Sequence, residues 1–161
     1  MKEKEKKFLL IEKEFELLKH LYLHIKQKPD DIKQAYLMLD KTSQLRVRII
    51  NNSKAFICYK NILSQGVRDE FEYEIPLKDG QQMYKIATIK LQKKRISFDM
   101  GKYHIDIDYY PSGKKVVEVE YTGSFDYTPP FCGKYVSGVK EYNNIWIAMN
   151  EQNKKEKVMI E

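Results

Sequence analysis

The sequence lacks several features that would place it quickly in a functional class. It has two cysteines, Cys58 and Cys132, and their separation does not match the short ligand spacings of a zinc site. No apolar run approaches the ~18 residues that cross a membrane, and no signal peptide is visible. We therefore expect both cysteines to be reduced core residues of a cytoplasmic protein that has no membrane partner.

Linkers and repeats are also missing. No stretch rich in glycine, serine and proline divides the chain, and no segment repeats. With 161 residues, of which 42% are hydrophobic and 12% aromatic, the chain has enough apolar material for one core. Residues 1–161 are therefore predicted to form a single domain.

Charge is what the chain has in abundance. Charged residues make up 32% of the sequence, and the net charge is +6 at pH 7. A basic balance favours a polyanionic partner, which includes nucleic acid, nucleotides and polyphosphate. Net charge alone does not separate these partners.

Hydrophobic periodicity predicts one long helix followed by strands. Apolar residues step by four and three from Ile11 to Ile25, before Pro29, as in an amphipathic helix that packs on a sheet. From residue 34 onward the period becomes two, and residues 79–89 are predicted to form a helical connection. The predicted strands are 34–39, 44–49, 55–60, 68–75, 93–98, 103–110 and 115–121. Short loops between them favour an antiparallel meander, and the opening stretch would bring the strand count to that of a small closed barrel.

The predicted strands divide their side chains between an apolar face and an almost entirely charged face. Arg46 and Arg48 make one strand basic, whereas Glu118 and Glu120 make another acidic. A sheet with one solvated face explains this alternation as well as a functional surface does. If the charged face instead lines a barrel, its carboxylates suit Mg²⁺ or Mn²⁺ and its arginines suit phosphate oxygens. The interior would then fit a ligand that combines metal and phosphate.

Several short motifs follow one another along the predicted strands. They are QAYL (34–37), RVRI (46–49), FICYK (56–60), RDEFEYEIP (68–76), KKR (93–95), DYY (108–110), EVE (118–120) and GKYVSGVKEYNN (133–144). In this order the motifs resemble the CYTH or triphosphate tunnel metalloenzyme superfamily, and most of all its bacterial inorganic triphosphatase branch. That family has an ExExK strand, a QGYL-like strand, an RVRI strand, a strand that ends in lysine and an R-EFEYEIP strand, followed by K-x-R, D-x-F and E-x-E strands and a closing GKEVTG…RY-N segment. The resemblance implies an α+β fold in which an eight-stranded antiparallel β-barrel forms a tunnel and helices pack outside.

Matched positions also imply roles for individual residues. The divalent-metal ligands implied by the resemblance are Glu3, Glu5, Asp108, Glu118 and Glu120. The implied phosphate-binding residues are Lys7, Arg46, Arg48, Lys60, Lys93, Arg95 and Lys134. Glu70 and Glu72 are expected to orient these bases or the attacking water. The expected catalytic residues are therefore Glu70, Glu72, Arg46, Arg48 and Lys60.

The register of the opening strand has two solutions. "EKEKKFLL" (3–10) reads either as a charged terminal tail or as a strand with Glu3, Glu5 and Lys7 on one face. "IEKEFEL" (11–17) also alternates glutamates, but it offers no lysine at the matching step and cuts into the predicted helix. The first register is therefore favoured.

Three positions depart from the family pattern. Val139 stands where the family has an acidic residue, and Glu141 stands where it has an arginine before tyrosine. Ala35 replaces the glycine of the QGYL-like strand. The first two departures fall in the closing segment, which also contains Lys134.

The resemblance implies a Mg²⁺- or Mn²⁺-dependent triphosphatase that acts on tripolyphosphate or an organic triphosphate, as a monomer or homodimer. Adenylate cyclase, thiamine triphosphatase and RNA 5′-triphosphatase activities share the implied fold and remain open. A non-catalytic nucleotide- or polyphosphate-binding module is the alternative from another class, and it would retain the basic residues without the carboxylates. A nucleic-acid-binding barrel ranks last, because the tyrosines fall largely on the apolar face.

Overall fold

A computed structural model of the protein describes residues 2–152. Met1 and residues 153–161 of the predicted domain lie outside the described residues. The elements, in chain order, are β1 (Lys2–Leu10), α1 (Glu12–Leu21), β2 (Asp30–Leu39), β3 (Ser43–Ile50), β4 (Lys54–Ser64), β5 (Val67–Ile75), α2 (Leu77–Ile86), β6 (Ile89–Met100), β7 (Tyr103–Tyr109), β8 (Lys115–Tyr121) and β9 (Cys132–Tyr135). A 3₁₀ turn (Lys140–Tyr142), a short helix α3 (Asn144–Ile147) and a π-type turn (Ala148–Gln152) follow.

The first eight strands close into a ring. They pair antiparallel in the order β5-β4-β3-β2-β6-β7-β8-β1, and β1 then pairs with β5. This closing contact is short, since only Lys2–Lys4 pair with Val67–Asp69. Farther along the same edge of β1, Phe8 and Leu10 pair with β9. The predicted eight-stranded antiparallel tunnel with helices outside is confirmed.

Two helices differ in length from their predictions. The helix predicted from Ile11 to Ile25 ends at Leu21, because Tyr22 has an extended backbone. Ile25 is nevertheless buried in the core, so the segment leading to β2 supplies the apolar residue that suggested another helical turn. The predicted connection at 79–89 begins earlier, directly after Pro76, and ends early enough for Ile89 to start β6. The four-residue β9 was not predicted.

The main apolar core lies outside the ring. α1 contributes Phe15, which is fully buried and stacks with Phe98 of β6 at a ring separation of 6.0 Å. Burial of such a side chain contributes on the order of 2–3 kcal/mol. The core consists of Phe8, Phe15, Ile25, Ile96, Phe98, Tyr103, Ile105, Ile107, Val117, Val119, Phe131 and Cys132. Because strand side chains alternate, the charged residues of β6, β7 and β8 point into the ring.

The second helix covers part of the ring on the side of β3 and β4. A Cβ atom at Gly80 of α2 would collide with the Cβ atom of Ala55, so only glycine permits this close approach. The outer face beside α2 leaves Tyr59, Phe71 and Tyr73 exposed. Within residues 2–152, no helix has the length and apolar character needed to span a membrane.

Candidate functional site

The ring encloses a cavity with a volume of about 1020 Å³. Its wall combines carboxylates and cationic groups in nearly equal measure. The acidic and basic lining residues are Glu3, Glu5, Lys7, Asp30, Arg46, Arg48, Lys60, Arg68, Glu70, Glu72, Arg95, His104, Asp106, Glu118, Glu120 and Lys140. Eleven of the fourteen predicted site residues are in this set, which omits Lys93, Asp108 and Lys134.

Carboxylates concentrate where β1, β5 and β8 meet. Glu5 of β1 lies directly opposite Glu120 of β8, an arrangement that repels unless a cation neutralises it. One oxygen from each of Glu3, Glu70 and Glu120 lies within 4.8 Å of the others. Three carboxylates at this spacing match the oxygen ligands that Mg²⁺ and Mn²⁺ prefer.

The pKa of Glu120 reflects its burial first and this crowding second. Burial raises its pKa to about 7. Arg68 lowers the pKa, but repulsion from Asp106 and Glu5 adds to the effect of burial. Several carboxylates therefore lie close together in a partly buried part of the cavity, and a divalent cation would relieve their repulsion.

Cationic groups line the β3 and β4 side of the cavity. Among residues 2–152, no carboxylate lies within 4.0 Å of Lys60 Nζ. Burial lowers the pKa of Lys60 to about 8, and Arg46 adds to this shift. The Nε atoms of Arg46 and Arg48 are buried without a hydrogen-bond partner. This side therefore keeps positive charge and donor atoms that its own carboxylates do not satisfy.

Glu70 of β5 lies between the two sides. Its Oε1 accepts a hydrogen bond from Arg46 Nη2 at 3.3 Å, and its Oε2 accepts one from Arg68 Nε at 3.0 Å. Burial alone would raise the pKa of Glu70, but Lys60, Arg46 and Arg68 together lower it to about 2. Glu70 is therefore an ionised, fixed carboxylate at neutral pH.

Glu72, which lies two residues after Glu70 on β5, holds Arg48 in the same manner. Arg48 Nη2 donates to Glu72 Oε1 at 2.6 Å. The two arginines of β3 thus have one carboxylate each on β5, which fixes the direction in which their remaining donors point. Glu70 and Glu72 accept hydrogen bonds from Arg46 and Arg48, and their expected role in orienting these bases stays a prediction.

The opening strand presents its charged face to the cavity. Lys7 Nζ lies 4.0 Å from Glu5 Oε1 and 3.7 Å from Glu118 Oε1. Glu3, Glu5 and Lys7 all line the cavity. The rival register is not used, because residues 12–17 belong to α1, where Glu12 and Glu14 are exposed.

Asp108 and Lys93 lie behind the cavity wall. Lys93 Nζ donates to Asp108 Oδ2 at 2.8 Å, while Arg95 donates to both Asp108 oxygens at 2.6 and 2.8 Å. The side chains of Asp108 and Lys93 are fully buried. Asp108 thus pairs with Lys93 and Arg95 and does not line the cavity, so its predicted role as a metal ligand stays a prediction. Arg95 also reaches Asp106 at 3.3 Å and Glu118 at 3.6 Å.

Lys134 also falls outside the predicted arrangement. It is exposed on β9, which pairs along the edge of β1, and it does not line the cavity. The lysine that the closing segment brings to the cavity is Lys140. Lys134 is the predicted residue because it occupies the matching position of the closing motif. It lies on β9, however, and the closing segment reaches the cavity only after that strand.

Sequence reasoning also missed two buried ionisable residues of the lining, Arg68 and Asp106. Arg68 shares the inward parity of Glu70, and Asp106 shares that of Asp108, so strand alternation contained the signal for both. Asp106 accepts hydrogen bonds from Ser97 Oγ at 2.5 Å and shares one with His104 Nε2 at 3.2 Å.

The segment after β9 covers the cavity beside β1. Lys7 N donates to Ser137 Oγ at 2.8 Å, which fixes the segment to the opening strand. At its far end, Lys114 Nζ contacts Glu151 Oε1 at 2.5 Å and the Glu141 carbonyl oxygen at 2.6 Å. The 3₁₀ turn and α3 are thereby fastened to the ring at both ends.

Comparison with known proteins gives a family and one curated relative. The sequence model of the CYTH domain family matches residues 1–141. The inorganic triphosphatase of Acetivibrio thermocellus is 26% identical over 125 residues, which cover 73% of this chain and 80% of that protein.

Solved structures share the fold at low sequence identity. PH1012 of Pyrococcus horikoshii OT3 aligns with a TM-score of 0.62 at 22% identity, covering 76% of this chain and 80% of that one. PH1819 of the same organism aligns with a TM-score of 0.58 at 19% identity, covering 98% and 88%. Hippeastrum HpAC1, described as having a dominant triphosphatase activity, aligns with a TM-score of 0.54 at 18% identity, covering 76% and 80%. At these identities the structural matches show the ring fold alone.

Proposed function

The chain belongs to the CYTH domain family, and from this premise we propose that it is a divalent-metal-dependent triphosphatase. The substrate is a linear triphosphate held inside the ring, and the bond that is cleaved is its terminal phosphoanhydride. Inorganic tripolyphosphate is the first choice of substrate, because the curated relative from Acetivibrio thermocellus is named for an inorganic triphosphatase. The cytoplasmic location and the monomeric or dimeric state stay predictions.

One observation carries the proposal. A single cavity joins an incompletely satisfied cationic side, with Arg46, Arg48 and Lys60, to a crowded acidic side. A purely structural charge network would leave no buried donor without a partner. A metal–triphosphate ligand would supply anionic oxygens for these donors and a divalent cation for the carboxylates that crowd around Arg68.

The carboxylates that would hold Mg²⁺ or Mn²⁺ are Glu3, Glu70 and Glu120, with Glu5 beside them. A bound divalent cation would neutralise the phosphoryl oxygens and so favour attack at phosphorus. The choice between Mg²⁺ and Mn²⁺ is part of the test below.

The chain's own residues bind and orient the substrate. Arg46, Arg48 and Lys60 contact phosphate oxygens and stabilise the negative charge that spreads over them in the transition state. Glu70 is ionised and held by two arginines, so it is suited to orient an attacking water. Since water is the nucleophile, no serine, cysteine or histidine nucleophile is required.

Phosphate release from four substrates tests this proposal. Tripolyphosphate, ATP, thiamine triphosphate and a 5′-triphosphorylated RNA are each incubated with Mg²⁺, with Mn²⁺ or with a chelator. We expect metal-dependent phosphate release, which is fastest from tripolyphosphate. Cyclic AMP and pyrophosphate from ATP would instead identify a cyclase. Tight tripolyphosphate binding without release from any substrate would identify the non-catalytic binding module.

A further inference from the structure

Arg68 of β5 lies within the group of carboxylates that the proposed metal would use. Its Nη2 donates to Glu120 Oε1 at 2.9 Å. The same nitrogen lies 3.1 Å from Glu5 Oε2 and 3.6 Å from Glu3 Oε2. Its Nε donates to Glu70 Oε2 at 3.0 Å. A single guanidinium group therefore contacts four carboxylates from three strands.

These contacts overlap with the candidate cation site. Glu3, Glu70 and Glu120, whose oxygens come within 4.8 Å of one another, are all partners of Arg68. The Arg68 side chain is only 6% exposed, and its Nη1 atom is buried without a hydrogen-bond partner. An orphaned buried donor is unfavourable, so the position of Arg68 reflects the attraction of the carboxylates rather than a completed hydrogen-bond network.

A divalent cation at the same carboxylates would meet the positive charge of Arg68 at close range. Two positive charges a few ångströms apart in a partly buried site repel each other, because little water lies between them to screen the repulsion. The oxygens that now accept from Nη2 would also have to be shared with the metal. It is therefore unfavourable for the Arg68 guanidinium and a divalent cation to contact the same carboxylates at the same time.

We propose that Arg68 is a resident counter-ion of the metal site, which neutralises the carboxylates in the metal-free protein and competes with the divalent cation for them. This inference rests on the proposed function for the identity of the metal site. When the metal binds, Nη2 gives up its acidic partners, and the guanidinium, whose Nη1 already lacks a partner, turns to a phosphate oxygen. Arg68 is thus a positioning residue whose state depends on the metal.

The alternative is that Arg68 only holds the carboxylates in place, as a structural brace. The two roles predict opposite effects on metal affinity. Removing a competitor strengthens metal binding, whereas removing a brace lets the carboxylates separate and weakens it.

Mn²⁺ binding to the full chain, measured by titration calorimetry without any triphosphate, distinguishes the two roles. For Arg68→Gln we expect about tenfold tighter Mn²⁺ binding, because one nearby positive charge is removed. We also expect a lower unfolding temperature without metal, since the carboxylates then repel each other. Lys94→Gln is the control, because it also removes one positive charge from the ring strands, but Lys94 is exposed, pairs with Asp31 on the surface and does not line the cavity. Its Mn²⁺ affinity should change by less than about twofold.

The outcomes separate this inference from the proposed function. If the unsubstituted chain binds Mn²⁺ and folded Arg68→Gln binds it equally well or more weakly, the counter-ion role of Arg68 is wrong. The proposed metal site then still stands. If neither the unsubstituted chain nor any variant binds Mn²⁺, both the counter-ion role of Arg68 and the proposed metal-dependent function are wrong. Tighter binding by Arg68→Gln supports the inference even if no triphosphate is hydrolysed.

A second measurement does not depend on a folded variant. In the unsubstituted chain, the guanidinium ¹⁵N–¹H signals of Arg68, assigned through its side-chain carbons, should shift when Mg²⁺ is added. Rotation about its C–N bonds, slowed by the carboxylate contacts, should become faster. Signals that remain unchanged at saturating Mg²⁺ would contradict displacement of Arg68.

Discussion

Two arginine side chains in the cavity each have one nitrogen that donates a hydrogen bond to a carboxylate and another buried nitrogen that has no hydrogen-bond partner. Arg46 donates through Nη2 to Glu70 while its buried Nε has no partner, and Arg48 has the same arrangement with Glu72. An arginine held in this way is oriented before a ligand arrives, so less conformational entropy is lost on binding. Pre-orientation of the donors is the property that phosphoryl transfer demands of a protein.

Arg46→Ala tests this property at the level of catalysis. We expect the rate of phosphate release to fall by about 10²–10³-fold, as when a preorganised donor to the transition state is removed. The chain should stay folded, because Glu70 keeps its hydrogen bond from Arg68 when Arg46 is removed. Lys94→Ala is the control, since Lys94 is an exposed β6 residue that pairs with Asp31 on the surface. A rate within twofold of the unsubstituted chain for Arg46→Ala would remove Arg46 from the site.

Asp108→Asn distinguishes a buried counter-ion from a metal ligand. Loss of the carboxylate removes the buried ion-pair partner of Lys93 and the closest partner of Arg95, so we expect the free energy of unfolding to fall by about 3–5 kcal/mol. Mn²⁺ affinity should stay within about twofold. Asp31→Asn, which breaks only a surface pair, should cost less than about 1 kcal/mol. A large loss of Mn²⁺ affinity with little loss of stability would instead support Asp108 as a ligand.

His104 predicts a dependence of stability on pH. Its hydrogen bond to Asp106 raises its pKa to about 9 against the opposing effect of burial, and Asp99 and Glu120 add to the rise. Because the folded pKa lies above the unfolded value near 6.5, the contribution of the imidazolium is complete below about pH 6.5 and is lost as the pH rises through about 9. His104→Gln should remove this part of the pH dependence of the unfolding temperature. Identical profiles for both proteins between these pH values would refute the charged state of His104.

At the scale of the element, the turn between β4 and β5 determines how β1 enters the ring. Gly66 has a φ of +73°, and a Cβ atom there would lie 2.7 Å from the Glu5 carbonyl oxygen. The Gly66 carbonyl oxygen also accepts a hydrogen bond from Glu5 N at 2.8 Å. The strand that carries Glu3, Glu5 and Lys7 thus approaches the turn at a point where a side chain does not fit.

Gly66→Ala should therefore cost more than backbone strain alone. We expect a loss of at least about 2 kcal/mol in the free energy of unfolding, from the positive φ together with the steric conflict. Gly123→Ala is a close control, because Gly123 has a φ of +77° and a Cβ atom added there would meet no described atom within 4 Å. Gly123→Ala should lose about 1 kcal/mol in the free energy of unfolding. Equal losses for the two variants, measured by chemical denaturation, would show that the contact with β1 is unimportant.

Strand alternation predicted most of the inward-facing residues, because the period of two assigns every second side chain to the same face. It failed where another segment covers the interior. Asp108 and Lys93 have inward parity, but Asn144 of α3 lies over them and accepts from Lys93 Nζ at 3.4 Å. Packing of an irregular terminal segment has no periodic signal, so neither this cover nor the position of Lys140 in the cavity wall could be predicted.

At the scale of the whole molecule, the apolar core and the charged site lie on opposite faces of one sheet. α1 and the residues that precede β9 bury the outer face, while the inner face collects the charges around the cavity. The fold was predictable because eight short strands, their turns and their order all pointed to the same closed ring. Arg68 is buried at the seam where β1 meets β5, and only the closed ring brings its four carboxylate partners together.

The most direct test of the triphosphatase assignment is a ³¹P NMR time course of tripolyphosphate with the unsubstituted chain and Mg²⁺ or Mn²⁺. Cleavage of a terminal phosphoanhydride should convert each tripolyphosphate into one phosphate and one pyrophosphate, and a chelator should stop the reaction. With Mn²⁺, whose paramagnetism broadens the signals, the products are read after the metal is removed. A tripolyphosphate spectrum that stays unchanged with either metal, under conditions where Mn²⁺ binding is measurable, would contradict the assignment.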